Sequence, residues 1–217
     1  MSRYIKKDKR CPVCGNVHTY DVLLSYRAED QYLDGYSDCA ELFDRYLECP
    51  DCRYLTADMD EEADQKIKDL ILDSDVQDRL RKGGRLARFI ENAKVREEAG
   101  HYRDAADLWQ NAGWMAMKDD PKEALACLNR HIDNRVRQIE TAEKEITLFD
   151  VVSLVDSFRQ ASRFSEALSA IEDYRRDVMP NLDENDIHNR IIKAEESLIA
   201  KGEDRPVKLI EVSDELQ

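Results

Sequence analysis

Apolar positions along the chain follow two rhythms, and the change between them falls near residue 60. Before that point, HTYDVLLSY (18–26) and FDRYLEC (43–49) carry the β-branched and aromatic mix of strands. Beyond it the helical period takes over. Ile67, Leu70 and Ile71 share one face, and the capping-box spacing Ser74-x-x-Gln77 divides the stretch into two short helices. Lys82-Gly83-Gly84-Arg85 then interrupts the pattern and is the candidate hinge. Two further helical patterns flank a turn at Gly100-His101. Phe89 and Ala93 lie on the first, and Ala105, Trp109 and Ala112 on the second, where small residues allow close helix approach. Trp109, Trp114 and Tyr102 read as core.

A helix from Pro121 to about Lys144 follows, with Asp120 as its N-cap and Glu123 at the capping-box position. A second hairpin pattern occupies 148–180. Leu154, Val155, Phe158, Phe164, Ala167, Ile171 and Tyr174 repeat the spacing of the first, with Ser162 in place of its glycine. The last helix runs from about Glu184 to Ala200, capped by Asp183, with Ile187, Ile191 and Leu198 facing inward. In the tail RPVKLIEVSDELQ (205–217), Val207 and Leu209 alternate with Ile210 and Val212. Three fates are open to it: a strand added to the edge of the N-terminal sheet, a segment lying in a helical groove, or a frayed acidic end.

The chain has 217 residues, 42% hydrophobic and 37% charged, enough apolar material for a core under a solvated helical surface. No apolar run approaches the roughly 18 residues that cross a bilayer. The N-terminal MSRYIKKDKR lacks an apolar segment behind its charges, so the expected location is cytoplasmic, with no membrane partner. Net charge is −14; residues 1–60 hold 8 basic and 12 acidic groups and the remainder 25 and 35. Neither part carries the positive field that phosphate binding needs. One basic cluster, Arg3, Lys6, Lys7, Lys9 and Arg10, offers a weak foothold for nucleic acid or is simply a solvated end.

Four of the six cysteines form two pairs of the type Cys-Pro-x-Cys: Cys11 and Cys14, then Cys49 and Cys52. Four thiolates at this spacing match a closed tetrahedral structural zinc site, one ion per chain. Pro12 and Pro50 fix φ inside each turn, and Gly15 after the first pair lets the chain fold back so that its amides point at sulfur. Arg53 holds the equivalent place in the second pair, implying a different turn or some strain. With strands leading to and from each knuckle, residues 1–60 read as a zinc-ribbon-like module stapled by its metal. Iron in a rubredoxin-like electron-transfer site uses the same ligands, and a redox Cys-x-x-Cys needs one pair alone. His18 could replace a cysteine but reads as a surface or outer partner. Cys39 lies between the knuckles and could sit near the metal as a spare thiol, its role left open, and Cys127 reads as a small buried side chain.

The first hairpin resembles a tetratricopeptide repeat, with Phe89, Ala93, Gly100, Tyr102, Ala105, Trp109 and Ala112 at the positions of that pattern; its second helix runs longer than the family's before Pro121. Ala167 follows Ala105 at close to twice the ~34-residue repeat. Such repeats offer a groove for a peptide, which the resemblance would line with Ile90, Lys94 and Glu97. CPVCG (11–15), YLECPDCRY (46–54) and the spacer residues Asp30, Tyr32 and Tyr36 together resemble a bacterial family, domain of unknown function 2225. Its members join a four-cysteine module to a helical, repeat-like remainder. Arg53 stands where that family has glycine, and its Asn-Pro before the second knuckle is absent. The resemblance implies a fold and brings no activity.

The expected fold is therefore mainly α: a small zinc-ribbon-like β module (1–60), a connecting helix or helices (61–84), an irregular tetratricopeptide-like helical array (85–201) and a tail (202–217). No phosphate loop, nucleophile elbow or His-Glu-x-x-His occurs, and His18, His101, His131 and His188 are scattered. The expectation is a non-enzymatic, zinc-stapled scaffold for an unidentified protein partner. Nucleic-acid binding through the ribbon is the alternative, and iron electron transfer a third.

Overall fold

The charged N-terminus forms a strand because the first knuckle folds it back on a better one. β1 (Arg3–Arg10) pairs antiparallel with β2 (Val17–Ser25), from Arg10 opposite Val17 to Ile5 opposite Val22, with an irregularity at Arg3/Tyr4. Alternation places Tyr20 and Val22 on the face that meets the core. The computed structural model describes residues 2–28, 30–141, 147–181, 183 and 186–212. Among them the chain is mainly α-helical, with eight α-helices and two small two-stranded sheets. The second strand expected, FDRYLEC, is mostly something else. Residues Ala40–Arg45 form a 3-10 helix, and only Leu47–Glu48 (β3) pairs, with Leu55–Thr56 (β4) beyond the second knuckle. Phe43 and Tyr46 set their rings edge-on to Phe89, and that packing overrides their strand propensity.

The fold divides into two units. One contains residues 1–27 and 39–134, the other 28–38 and 135–217.

In the first unit, α1 (Gln65–Leu72) and α2 (Ser74–Lys82) are separate helices. The cap of α2 is Asp73 rather than Ser74, since its carboxylate accepts from the amides of Asp75 and Val76. Gln77, expected to close a capping box, instead donates to the carbonyls of Cys52 and Ile71 at 2.7 and 2.8 Å. Ile67, Ile71, Val76 and Leu80 bury against Cys11, Cys49, Cys52, Tyr20 and Tyr54, so these helices and the cysteine turns share one core. α3 (Arg85–Ala99) and α4 (Tyr102–Ala116) form a helical hairpin turning at Gly100, whose φ of 90° is the left-handed helix end that glycine favours. Phe89, Ala93, Ala105, Trp109 and Ala112 all bury in its core with Leu55, Leu108 and Cys127. α4 stops at Ala116 instead of running to Pro121, because the amides of Asp119 and Asp120 turn back to the Ala116 carbonyl. α5 (Pro121–Thr141) begins as expected, with the Glu123 amide on the Asp120 carboxylate at 3.1 Å; Lys144 lies outside the described residues.

In the second unit, α6 (Leu148–Gln160) and α7 (Phe164–Asp177) make another hairpin, where Ser162 adopts φ 58° at the place of the glycine. α8 (Ile187–Ala200) is capped by Asp186, which accepts from the His188 amide, and not by Asp183; Glu184 lies outside the described residues. Ile187 is exposed, contrary to expectation, because it opens the helix; Ile192, Ala194, Leu198 and Ile199 face inward. The tail pairs with the spacer rather than with the N-terminal sheet. Leu33 donates to the Val207 carbonyl and Leu209 to that of Gln31, after which Leu209–Val212 is a 3-10 helix. Residues 213–217 are not among those described.

An ionic group occupies the interior of this second unit. The Arg159 guanidinium, fully buried, pairs with Asp156 and with Glu195 at 2.7 Å and donates to the carbonyls of Glu203 and Arg205. Two carboxyls share one cation, so burial and the Asp156 charge push Glu195 well above the usual carboxylate range.

Two outcomes follow from this packing. Phe89→Ala, at a site with no exposure, is expected to cost roughly 3–5 kcal/mol in denaturant titrations. With its folded pKa raised by burial and the Asp156 charge, Glu195 keeps its proton to higher pH in the folded chain than in the unfolded one. That stabilisation is complete below the unfolded value and is lost as pH rises through the folded one. Denaturation midpoints from pH 4 upward should therefore decline more steeply for the unaltered chain than for Glu195→Gln.

Candidate metal centre

Each Cys-Pro-x-Cys closes into the same turn. In the first, the Gly15 amide donates to the Cys11 carbonyl at 2.9 Å and the Cys11 amide to that of Asn16 at 2.8 Å. In the second, the Arg53 amide donates to Cys49 and the Cys49 amide to Tyr54, both at 2.9 Å. Gly15 and Arg53 both take positive φ, 79° and 61°. Arg53 therefore does not change the turn; it accepts a conformation that costs a residue with a Cβ.

These turns bring Cys11, Cys14, Cys49 and Cys52 together, their sulfurs all within 4.8 Å of one another. Cys11 Sγ lies 3.6 Å from Cys52 Sγ, and Cys14 Sγ 3.6 Å from Cys49 Sγ. A tetrahedron with metal–sulfur bonds of about 2.3 Å has edges of about 3.8 Å, so the group could hold a metal ion. Its surroundings suit thiolates. Amides of Val13 and Cys14 point at the Cys11 sulfur, that of Asn16 at Cys14 and that of Tyr54 at Cys52. The buried Tyr20 hydroxyl has no hydrogen-bond partner and lies beside Cys49; burial and the neighbouring sulfur charge push it up. An acceptor sulfur is what that orphaned donor fits.

Without a cation the four thiols cannot ionise alike. The hydrogen-bond contact with Cys52 draws Cys11 down, while burial and the adjacent sulfurs push Cys14 up. Cys52 rises too, chiefly through its hydrogen-bond contact with Cys11 and then by burial.

A polar clasp closes the outer side. Asn16 Nδ2 and His18 Nε2 meet the same carboxylate oxygen of Asp51 at 2.6 and 2.8 Å. His18 pairs with Asp51 and also lies within 4.8 Å of the Cys49 sulfur, whereas Asn16 and Asp51 carried no signal beyond their places beside the knuckles. Cys39 stands apart from the four-sulfur group, and Cys127 is buried in the helical core, its thiol raised by burial to about 12.

On α3, Ile90 is half-buried against the hairpin core and Lys94 is exposed and paired with Glu91 at 2.7 Å. Glu97 accepts from Trp109 and Asn134 at 3.3 and 3.2 Å and pairs with Arg130, so its carboxylate ties α3 to α4 and α5. In the basic cluster, Lys9 pairs with Asp60 and Arg10 donates to the Gly15 carbonyl. Among the described residues no helix is long and apolar enough to cross a membrane. Compared with family models, curated proteins and solved structures, the chain matches none.

Since nothing lies within 4 Å of a Cβ built on Gly15, Gly15→Ala isolates the backbone cost of its left-handed turn. A loss of about 1–2 kcal/mol is expected in unfolding titrations of the metal-loaded chain.

Proposed function

We propose that the four cysteines hold one zinc ion with a structural role, and that the protein is a zinc-stapled scaffold for another protein. The observation that carries this reading is the closed set of four sulfurs with amides and the Tyr20 hydroxyl turned toward them. Four thiolates complete a tetrahedral shell and leave no position for a substrate, the pattern of structural rather than catalytic sites. Bound zinc would supply the charge that lets all four sulfurs stay ionised; Cys11, Cys14, Cys49 and Cys52 would hold it. The helical hairpins support the scaffold half of the reading, since paired helices present extended faces. The face of α3 carrying Ile90, Lys94 and Glu97 is the candidate partner surface. A cytoplasmic protein fits this chemistry, as does the likeness to domain of unknown function 2225 and to tetratricopeptide repeats.

Nucleic-acid binding through β1 is the second reading, resting on Lys6 and Lys7. It requires a binding constant that falls steeply with salt and is lost when those lysines are neutralised.

Elemental analysis of the purified full chain should return close to one zinc, and Cys49→Ser with Cys52→Ser should abolish it. Iron with a visible thiolate absorption would move the reading to electron transfer. Freshly reduced protein that takes up no metal would refute it.

A further inference from the structure

The two knuckles share a hydrogen-bond pattern but are held by different means. In the first, the left-handed position falls to Gly15, for which positive φ is free of steric penalty. In the second it falls to Arg53, and there a helix intervenes. Asn92, in the middle of α3 and fully buried, accepts the Leu55 amide on Oδ1 at 2.9 Å and donates Nδ2 to the Arg53 carbonyl at 3.0 Å. One carboxamide therefore brackets Tyr54, from the carbonyl that leaves the strained Arg53 to the amide two places on. The same Nδ2 also meets the Arg88 carbonyl of its own helix at 2.9 Å, which fixes the side chain's rotamer. Neighbouring groups reinforce the grip. Buried Arg96 donates to the Leu55 carbonyl and stacks its guanidinium 4.9 Å from the Tyr54 ring centre, and Gln77 donates to the Cys52 carbonyl at 2.7 Å.

We infer that Asn92 is a positioning residue for the metal site: it holds Arg53 in the left-handed turn and so presents Cys49 and Cys52 before the ion arrives. The inference rests on the reading of the four cysteines as ligands of one ion. Both knuckles make the same backbone turn; in the first the carbonyl of the left-handed residue meets the nearby Arg10, and in the second it meets a residue of α3. Arg53 is tolerated where glycine would be easier because the carboxamide fixes the peptide that leaves it, while its own amide is held by the Cys49 carbonyl. Partners outside the ligand shell commonly change metal affinity about 10–100-fold, although they never touch the metal.

The test is a double-mutant cycle on the full-length chain, with zinc affinity measured by competition against a chromophoric chelator. Asn92→Ala is expected to weaken binding about 10-fold. Cobalt-substituted protein should keep its four-thiolate charge-transfer bands, since no ligand is lost. In an Arg53→Gly background the same Asn92→Ala change should cost no more than about 3-fold, because glycine takes positive φ unaided. Unchanged affinity in Asn92→Ala, or an equal loss in both backgrounds, would overturn the inference, the second outcome assigning Asn92 to general stability of the hairpin. Should Asn92→Ala fail to fold, Asn92→Asp replaces it in the cycle. That variant keeps an acceptor for Leu55 but loses the donor to Arg53, and the same dependence on Arg53→Gly is required of it. A failure of the ligand reading itself is distinguishable: the unaltered chain would then bind no zinc at all, and the inference would fall with it.

Discussion

Four sulfurs within 4.8 Å of one another are the constraint around which the first unit is arranged. Thiols so close, most of them buried, cannot all ionise without an opposite charge beside them. A divalent cation removes that conflict and turns the mutual repulsion of four thiolates into shared attraction. Sheet β1–β2 has a charged strand and few large apolar groups, and it stands because the first knuckle joins its two halves. The second knuckle does the same for β3 and β4, each only two residues long.

The four-cysteine module is continuous with helical structure, not appended to it. Ile67, Ile71, Val76 and Leu80 close over Cys11, Cys49 and Cys52, so the apolar faces of α1 and α2 are satisfied by the cysteine turns. Polar contacts are added where backbone would otherwise be buried without partners: Gln77 takes the Cys52 carbonyl, while Asn92 and Arg96 take both polar groups of Leu55. Buried backbone groups carry that requirement everywhere, and here the side chains of helices meet it. The α3–α4 hairpin consequently supports the second knuckle, and by linkage whatever tightens the knuckle stabilises α3 in equal measure.

The parts legible in the sequence are those governed by local rules. Ligand spacing located the cysteine cluster, helical periodicity located the two hairpins, and Phe89, Ala93, Ala105 and Trp109 were recognisable as core from their intervals. What escaped depended on tertiary partners. RYIKKDKR reads as a solvated end until β2 pairs with it, and FDRYLEC reads as a strand until Phe43 and Tyr46 turn onto Phe89. Asp73 and Asp186 displaced the expected caps by one and three positions because several acidic residues compete at each helix start. Asn92 left no signal of its own in the sequence, because only the fold shows that Arg53 and Leu55 lie opposite it.

The central claim is that an ion bound by the four sulfurs holds the first unit in its fold. Amide hydrogen exchange of the full chain, measured with metal bound and after chelation under reducing conditions, addresses it most directly. The account predicts that chelation strips protection from β1 to β4 and from the middle of α3, where Asn92 and Arg96 meet the second knuckle. Protection unchanged in these segments after complete removal of the metal would contradict it.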